Sequence, residues 1–110
     1  MTDIQNLSDL APTENLDQII QNNPRVILYF HATWCRPCRP MGELIVEIAR
    51  EYQTIRIVRI NVDTNNVVSR QYGINNVPIA IGISSERKFY LSGRDEVAVI
   101  RTILSREWDL

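Results

Sequence analysis

Residues 25–38 read RVILYFHATWCRPC, and they hold the chain's two cysteines and its single histidine. Residues 25–32 form an almost continuous apolar run rich in β-branched and aromatic side chains. Such a run predicts a strand buried on both faces. From Arg36 to Tyr52 the apolar residues Met41, Leu44, Ile45, Ile48 and Ala49 recur at helical spacing. Glu43, Glu47, Arg50 and Glu51 fall on the opposite side, so this segment predicts an amphipathic helix. Cys35 and Cys38 therefore fall where a strand hands over to a helix. In open α/β sheets, chemistry sits beyond the carboxyl ends of strands.

The same pattern continues on either side. Upstream, Ile4–Leu7 predicts a short edge strand. Thr13 predicts the N-cap of a helix whose apolar face is Leu16, Ile19 and Ile20, stopped at Asn22-Asn23-Pro24. Downstream, residues 55–62 predict a second buried strand. Residues 65–72 predict a short helix with Gly73 as its C′ residue. Residues 77–83 and 88–91 predict a hairpin turning through Ser84–Arg87, and residues 95–107 a last helix with Val97, Ile100, Ile103 and Leu104 inward. Strands alternating with helices imply parallel pairing, and the hairpin adds antiparallel strands. The expected fold is α/β, a single domain over residues 1–110.

Composition narrows the function. The chain has 110 residues, enough for one domain with a real core. Its formal net charge is -1, which predicts neither nucleic acid nor an anionic membrane as partner. Of its twelve basic residues only Lys88 is a lysine. The N-terminal stretch MTDIQNLSDLAPTEN has no basic-then-apolar signal pattern, and no apolar run reaches the roughly 18 residues of a membrane span. A cytoplasmic location is the expectation. In a reducing compartment, a lone disulfide is more often catalytic or transient than structural.

Three readings of the cysteine pair compete. A structural zinc site wants four ligands, and the chain offers two cysteines and His31. An inert pair fits poorly with a CxxC at a strand-to-helix junction in a chain with no other cysteine. The third reading is a dithiol that exchanges with disulfides. A free thiol has a pKa of about 8.5, and a helix N-terminus favours its thiolate. Cys35 attacks a substrate disulfide, and Cys38, with two residues between, attacks Cys35 and releases the reduced substrate. Pro37 suits the first helical turn and stiffens the closed ring. The two sulfurs carry the electrons, so no bound cofactor or metal is expected.

Taken together, Trp34–Cys38 (WCRPC), the strands RVILYF and IVRINVD, the run YGINNVP at residues 72–78 and the late Gly93 resemble the thioredoxin family in order and approximate spacing. The resemblance spans nearly the whole chain. It implies a thioredoxin fold, with a central mixed sheet of roughly four to five strands flanked by about four helices. It implies Cys35 as an exposed nucleophile, Cys38 as a more buried resolving thiol, and a cis Pro78 packed against them. It implies that the Val77 backbone pairs with an extended substrate segment, and that Trp34, Val77, Pro78 and Gly93 border a docking groove. For Trp34 and Gly93, packing and turn formation are the competing roles. Protein disulfides are the implied substrates, a separate reductase or small thiol the implied donor, and a monomer the expected state.

The departures from the family touch the chemistry. Its buried Asp is replaced by Tyr29, whose ordinary pKa near 10 makes it a poor base. His31 replaces a usual Trp, lies on the same strand face as Tyr29, and is a candidate substitute base or electrostatic partner. Filling the Trp site is its competing role. Arg36 replaces Gly inside the motif. Its charge favours the Cys35 thiolate, raises the reduction potential and suits acidic partners; a tolerated surface side chain is the alternative. Pro40 stands near the motif where the family has a later proline, at Glu43. Trp108 reads as a packing anchor or contact residue.

Overall fold

In the computed structural model, which describes residues 4–92 and 96–110, the central strand β2 spans Val26–His31. Its alternation divides the core. Ile27 and Tyr29 point into one apolar cluster, and Val26, Leu28 and Phe30 into the other. This is why the run carries no polar residue until His31: both of its faces are covered.

The other elements assemble around it. In chain order they are β1 (Leu7–Asp9), α1 (Leu16–Gln21), β2, α2 (Cys38–Glu51), β3 (Arg56–Asn61), α3 (Asn66–Gln71), β4 (Ile79–Ile83), β5 (Lys88–Leu91) and α4 (Val97–Trp108). The sheet order is β1-β3-β2-β4-β5. β1 and β2 run parallel to β3, and β4 runs antiparallel to β2 and β5. Helices α2 and α4 cover the face that carries Ile27, Ile57, Ala80 and Phe89. Leu16 from α1 and Val68 from α3 pack on the opposite face. Among the described residues, no helix is long and apolar enough to cross a membrane.

Element types match the sequence reading, with three local corrections. The edge strand lies at Leu7–Asp9 rather than Ile4–Leu7. Residues 4–7 instead turn, closed by the Leu7 amide on the Ile4 carbonyl at 3.2 Å. The Asn6 side chain ties that turn to the carbonyls of Ala49, Tyr52 and Ile55. The first helix is capped by Asn15, whose side chain accepts from the Gln18 amide, and not by Thr13. The cysteine helix starts at Cys38 rather than Arg36. The end of α3 is as expected: Gly73 has φ +66°, and the Gly73 and Ile74 amides reach back to Arg70 and Ser69 in a Schellman motif.

The hairpin owes its fit to one glycine. Gly82 pairs in register with Phe89, and the Phe89 ring occupies the space where a Cβ at residue 82 would lie. That ring then meets Trp108 edge-on, with centroids 4.8 Å apart. Trp108 is thus the packing anchor of α4, held in the core at 5% exposure. Gly82→Ala should force Phe89 out of this position and cost about 1–3 kcal/mol of stability, read from urea or thermal unfolding. A loss well under 0.5 kcal/mol would show that the ring can move aside freely.

Candidate active site

β2 ends at His31, and the chain then turns through residues 32–37 before α2 begins. The Cys35 amide donates to the Ala32 carbonyl, and the Cys38 amide to the Cys35 carbonyl, each at 3.3 Å. These turns bring the Cα atoms of Cys35 and Cys38 to 5.4 Å, and the two sulfurs are bonded to each other. That separation lies within the ordinary disulfide range. Pro37 is the N-cap residue and offers no side-chain cap. Pro40 falls in the first helical turn, where its missing N–H would have had no intrahelical partner.

Cys35 therefore sits one turn ahead of the helix, and Cys38 is its first residue. Both are only 6% exposed, so the expected contrast between an exposed and a buried cysteine is not seen in the bonded pair. Ala32 completes their small apolar cluster, with Val62 and Val77 packed against it. Arg36, Pro37 and Arg39 are exposed around the pair. The first turn of α2 carries no acidic residue, so nothing there opposes the positive end of the helix dipole.

Behind the disulfide, Tyr29 fills the place of the family's acid, and it does so as a strut. Its hydroxyl donates to the Cys38 carbonyl oxygen at 2.6 Å. A Cβ on Gly42, one turn further along α2, would lie 3.7 Å from that hydroxyl. Burial pushes the Tyr29 pKa up to about 12, against the opposing charge of Arg59. A phenol that is already donating, with so high a pKa, takes no proton from a thiol near neutral pH.

His31 stacks on Tyr29, with ring centroids 5.2 Å apart and planes within 17°. Burial lowers its pKa below the usual 6.5; the Asp9 carboxylate opposes this and the Arg59 charge adds to it. The imidazole is consequently mostly neutral at pH 7, which makes it a base rather than a cationic partner for a thiolate. Both rings line a cleft of about 390 Å³ together with Ala32, Cys35, Cys38 and Arg39. Asp9 and Arg59 close its far side, paired at 2.9 Å. Asp9, Arg59 and Tyr29 stand in register on three neighbouring strands, which is why they share this face. The sequence reading missed this pair. Its signal was Arg59, a charge inside the apolar run from Ile57 to Ile60.

In front of the disulfide, Trp34 is 68% exposed. Its indole N–H donates to Asp63 Oδ2 at 2.9 Å, a contact that the sequence reading also missed. Trp34, Val62, Ile74, Asn75, Asn76 and Val77 line a groove of about 230 Å³. The Val77–Pro78 peptide is cis, as the resemblance implied. Val77 precedes β4 and makes no backbone hydrogen bond within the described residues. Gly93, the remaining expected groove residue, lies outside the described residues.

Removing the Tyr29 hydroxyl isolates its role. Tyr29→Phe should cost about 1 kcal/mol of stability and leave the pH dependence of thiol exchange near neutrality unchanged. The raised tyrosine pKa also means that the folded state resists deprotonation more than the unfolded chain does. Stability should therefore fall as pH rises from about 10 toward 12, and the variant should lose part of that slope. A changed exchange profile between pH 6 and 8 would instead make Tyr29 part of the proton chemistry.

Comparison with known proteins agrees with this geometry. The family model for thioredoxin matches residues 8–105. Thioredoxin from Porphyra purpurea is 30% identical over 102 residues, covering 91% of this chain and 95% of the relative. Thioredoxin from Pyropia yezoensis is 37% identical over 73 residues, covering 66% of this chain and 68% of the relative. Among solved structures, a variant thioredoxin from Halobacterium salinarum superposes with a TM-score of 0.81 at 20% identity, covering 100% of this chain and 97% of that one. A chloroplastic thioredoxin z gives 0.80 at 25% identity, with 91% and 92% covered. The chain belongs to the thioredoxin family, and its bonded Cys35–Cys38 pair makes it a thiol–disulfide oxidoreductase.

Proposed function

We propose that the chain reduces protein disulfides in the cytosol, as a single-domain monomer, with Cys35 as nucleophile and Cys38 as resolving thiol. The observation that carries this reading is the Cys35–Cys38 bond beside a groove whose Val77 backbone makes no hydrogen bond among the described residues. An extended substrate segment pairs with Val77, and its disulfide is thereby set against Cys35. Trp34 lines the groove, and the cis Pro78 follows Val77 at its edge.

The Cys35 thiolate attacks one substrate sulfur. The substrate S–S bond breaks, a Cys35–substrate disulfide forms, and the other substrate sulfur leaves as a thiolate. Arg36 favours the attacking thiolate from the surface, screened by solvent. Cys38 then loses its proton and attacks Cys35. The second substrate thiolate leaves, and the Cys35–Cys38 disulfide closes. Two electrons have passed from the dithiol to the substrate. We assign the proton of Cys38 to His31, because Tyr29 is committed to the Cys38 carbonyl and His31 lines the same cleft. A separate reductase or small thiol returns the two electrons.

The assay is reduction of a protein disulfide by excess dithiothreitol with catalytic amounts of the chain. We expect acceleration well above background, abolished in Cys35→Ser and arrested at a mixed disulfide in Cys38→Ser. Wild-type rates at background would instead favour a thioredoxin-fold docking module that exchanges thiols slowly.

A further inference from the structure

We propose that Arg36 and Arg39 make the chain selective for disulfides flanked by aspartate or glutamate on an extended protein segment. This rests on the reading of Trp34 and Val77 as the docking edge, and it adds the charge of the partner.

Arg36 and Arg39 are exposed and form no ion pair within the described residues, unlike Arg59, Arg101 and Arg106. Arg36 adjoins Cys35 in the chain, and Arg39 adjoins Cys38 and lines the cleft that both cysteines share. The acids nearby are otherwise engaged or face elsewhere. Asp9 is paired with Arg59, whereas Asp63, which accepts the Trp34 indole N–H, keeps its charge but pairs with neither arginine within the described residues. Glu43, the first carboxylate on α2, lines a different depression with Pro40, Leu44, Val46, Glu47 and Arg50. The groove itself contributes Asn75 and Asn76, which are uncharged.

Neither arginine side chain is held by an ion pair within the described residues. A helix start favours acids, so Arg39 in the first turn of α2 works against the local preference. Toward a partner the same charges act with one sign. They draw in acidic segments and repel basic ones, and the effect weakens as salt shortens the screening length. Arg36 adjoins the nucleophile, and Arg39 lies one turn further along the helix. A carboxylate within a residue or two of the substrate cysteine is therefore within reach when that cysteine is attacked.

The test uses two synthetic peptides of equal length, each disulfide-linked to mercaptoethanol. One carries Asp beside the cysteine and the other carries Lys. Single-turnover kcat/KM with the reduced protein should favour the acidic peptide about three- to tenfold at roughly 20 mM salt, mainly through KM. The preference should shrink toward one near 0.5 M salt. In the doubly reversed variant Arg36→Glu, Arg39→Glu the ratio should invert. Each ratio is taken on one protein, so any change in Cys35 reactivity cancels.

A ratio near one at low salt, or one that survives charge reversal, would overturn the proposal. Hydroxyethyl disulfide, which is uncharged, separates the two levels. If it is reduced while the peptides are not discriminated, the selectivity fails and the oxidoreductase reading stands. If it too stays unreduced, the oxidoreductase reading fails and the selectivity falls with it.

Discussion

Strand β2 is paired along both edges and covered on both faces, so its carboxyl end is a fixed point from which the reactive residues hang. β3 holds one edge and β4 the other, and Val26, Ile27, Leu28 and Phe30 have no measurable exposure. The strand cannot slip by one residue without exchanging its two buried faces. That constraint fixes Tyr29 and His31 on the same side and launches the turn that closes the Cys35–Cys38 pair. The cysteine loop is short, and its geometry follows from a rigid entry on β2 and a rigid exit on α2.

Within that frame, Tyr29 exchanges one function for another. A carboxylate at its position would be a buried base, costly to ionise and useful for that reason. A tyrosine there gives up the base and supplies a hydrogen bond from the sheet to the first residue of the helix. The Cys38 backbone is thereby tied to the sheet, and on the proposed mechanism the group that deprotonates its thiol comes from elsewhere in the cleft. His31 stacks on the strut and stays mostly neutral, and the Asp9–Arg59 pair sets the charge around it. On the proposed mechanism, Arg36 favours the thiolate of its neighbour Cys35. On that mechanism, different residues serve the two half-reactions.

Much of this was legible in the sequence because it is local. The apolar run of β2, the helical spacing of α2, the cap at Gly73 and the CxxC each need only a few neighbouring residues to be read. The resemblance supplied Pro78. What escaped notice depends on register or on contacts between distant segments. β1 has three residues and one fixed neighbour, so nothing in its own pattern separates Leu7–Asp9 from Ile4–Leu7. Thr13 and Asn15 are both competent caps, and the choice is made by which one reaches the Gln18 amide. The Asp9–Arg59 pair requires the register of β1 on β3. The Trp34–Asp63 bond requires the loop after β3 to fold against the cysteine turn.

The central claim is that the proton acceptor for Cys38 has moved from the buried acid position to His31. It is tested by the rate at which a preformed Cys35 mixed disulfide is resolved, followed by acid quench from about pH 5 to 9 in wild type and in His31→Phe. The account predicts a wild-type rate that inflects below the ordinary histidine value. It predicts a slower variant at neutral pH whose rate simply climbs with ionisation of the thiol. Superimposable profiles for the two proteins would contradict it.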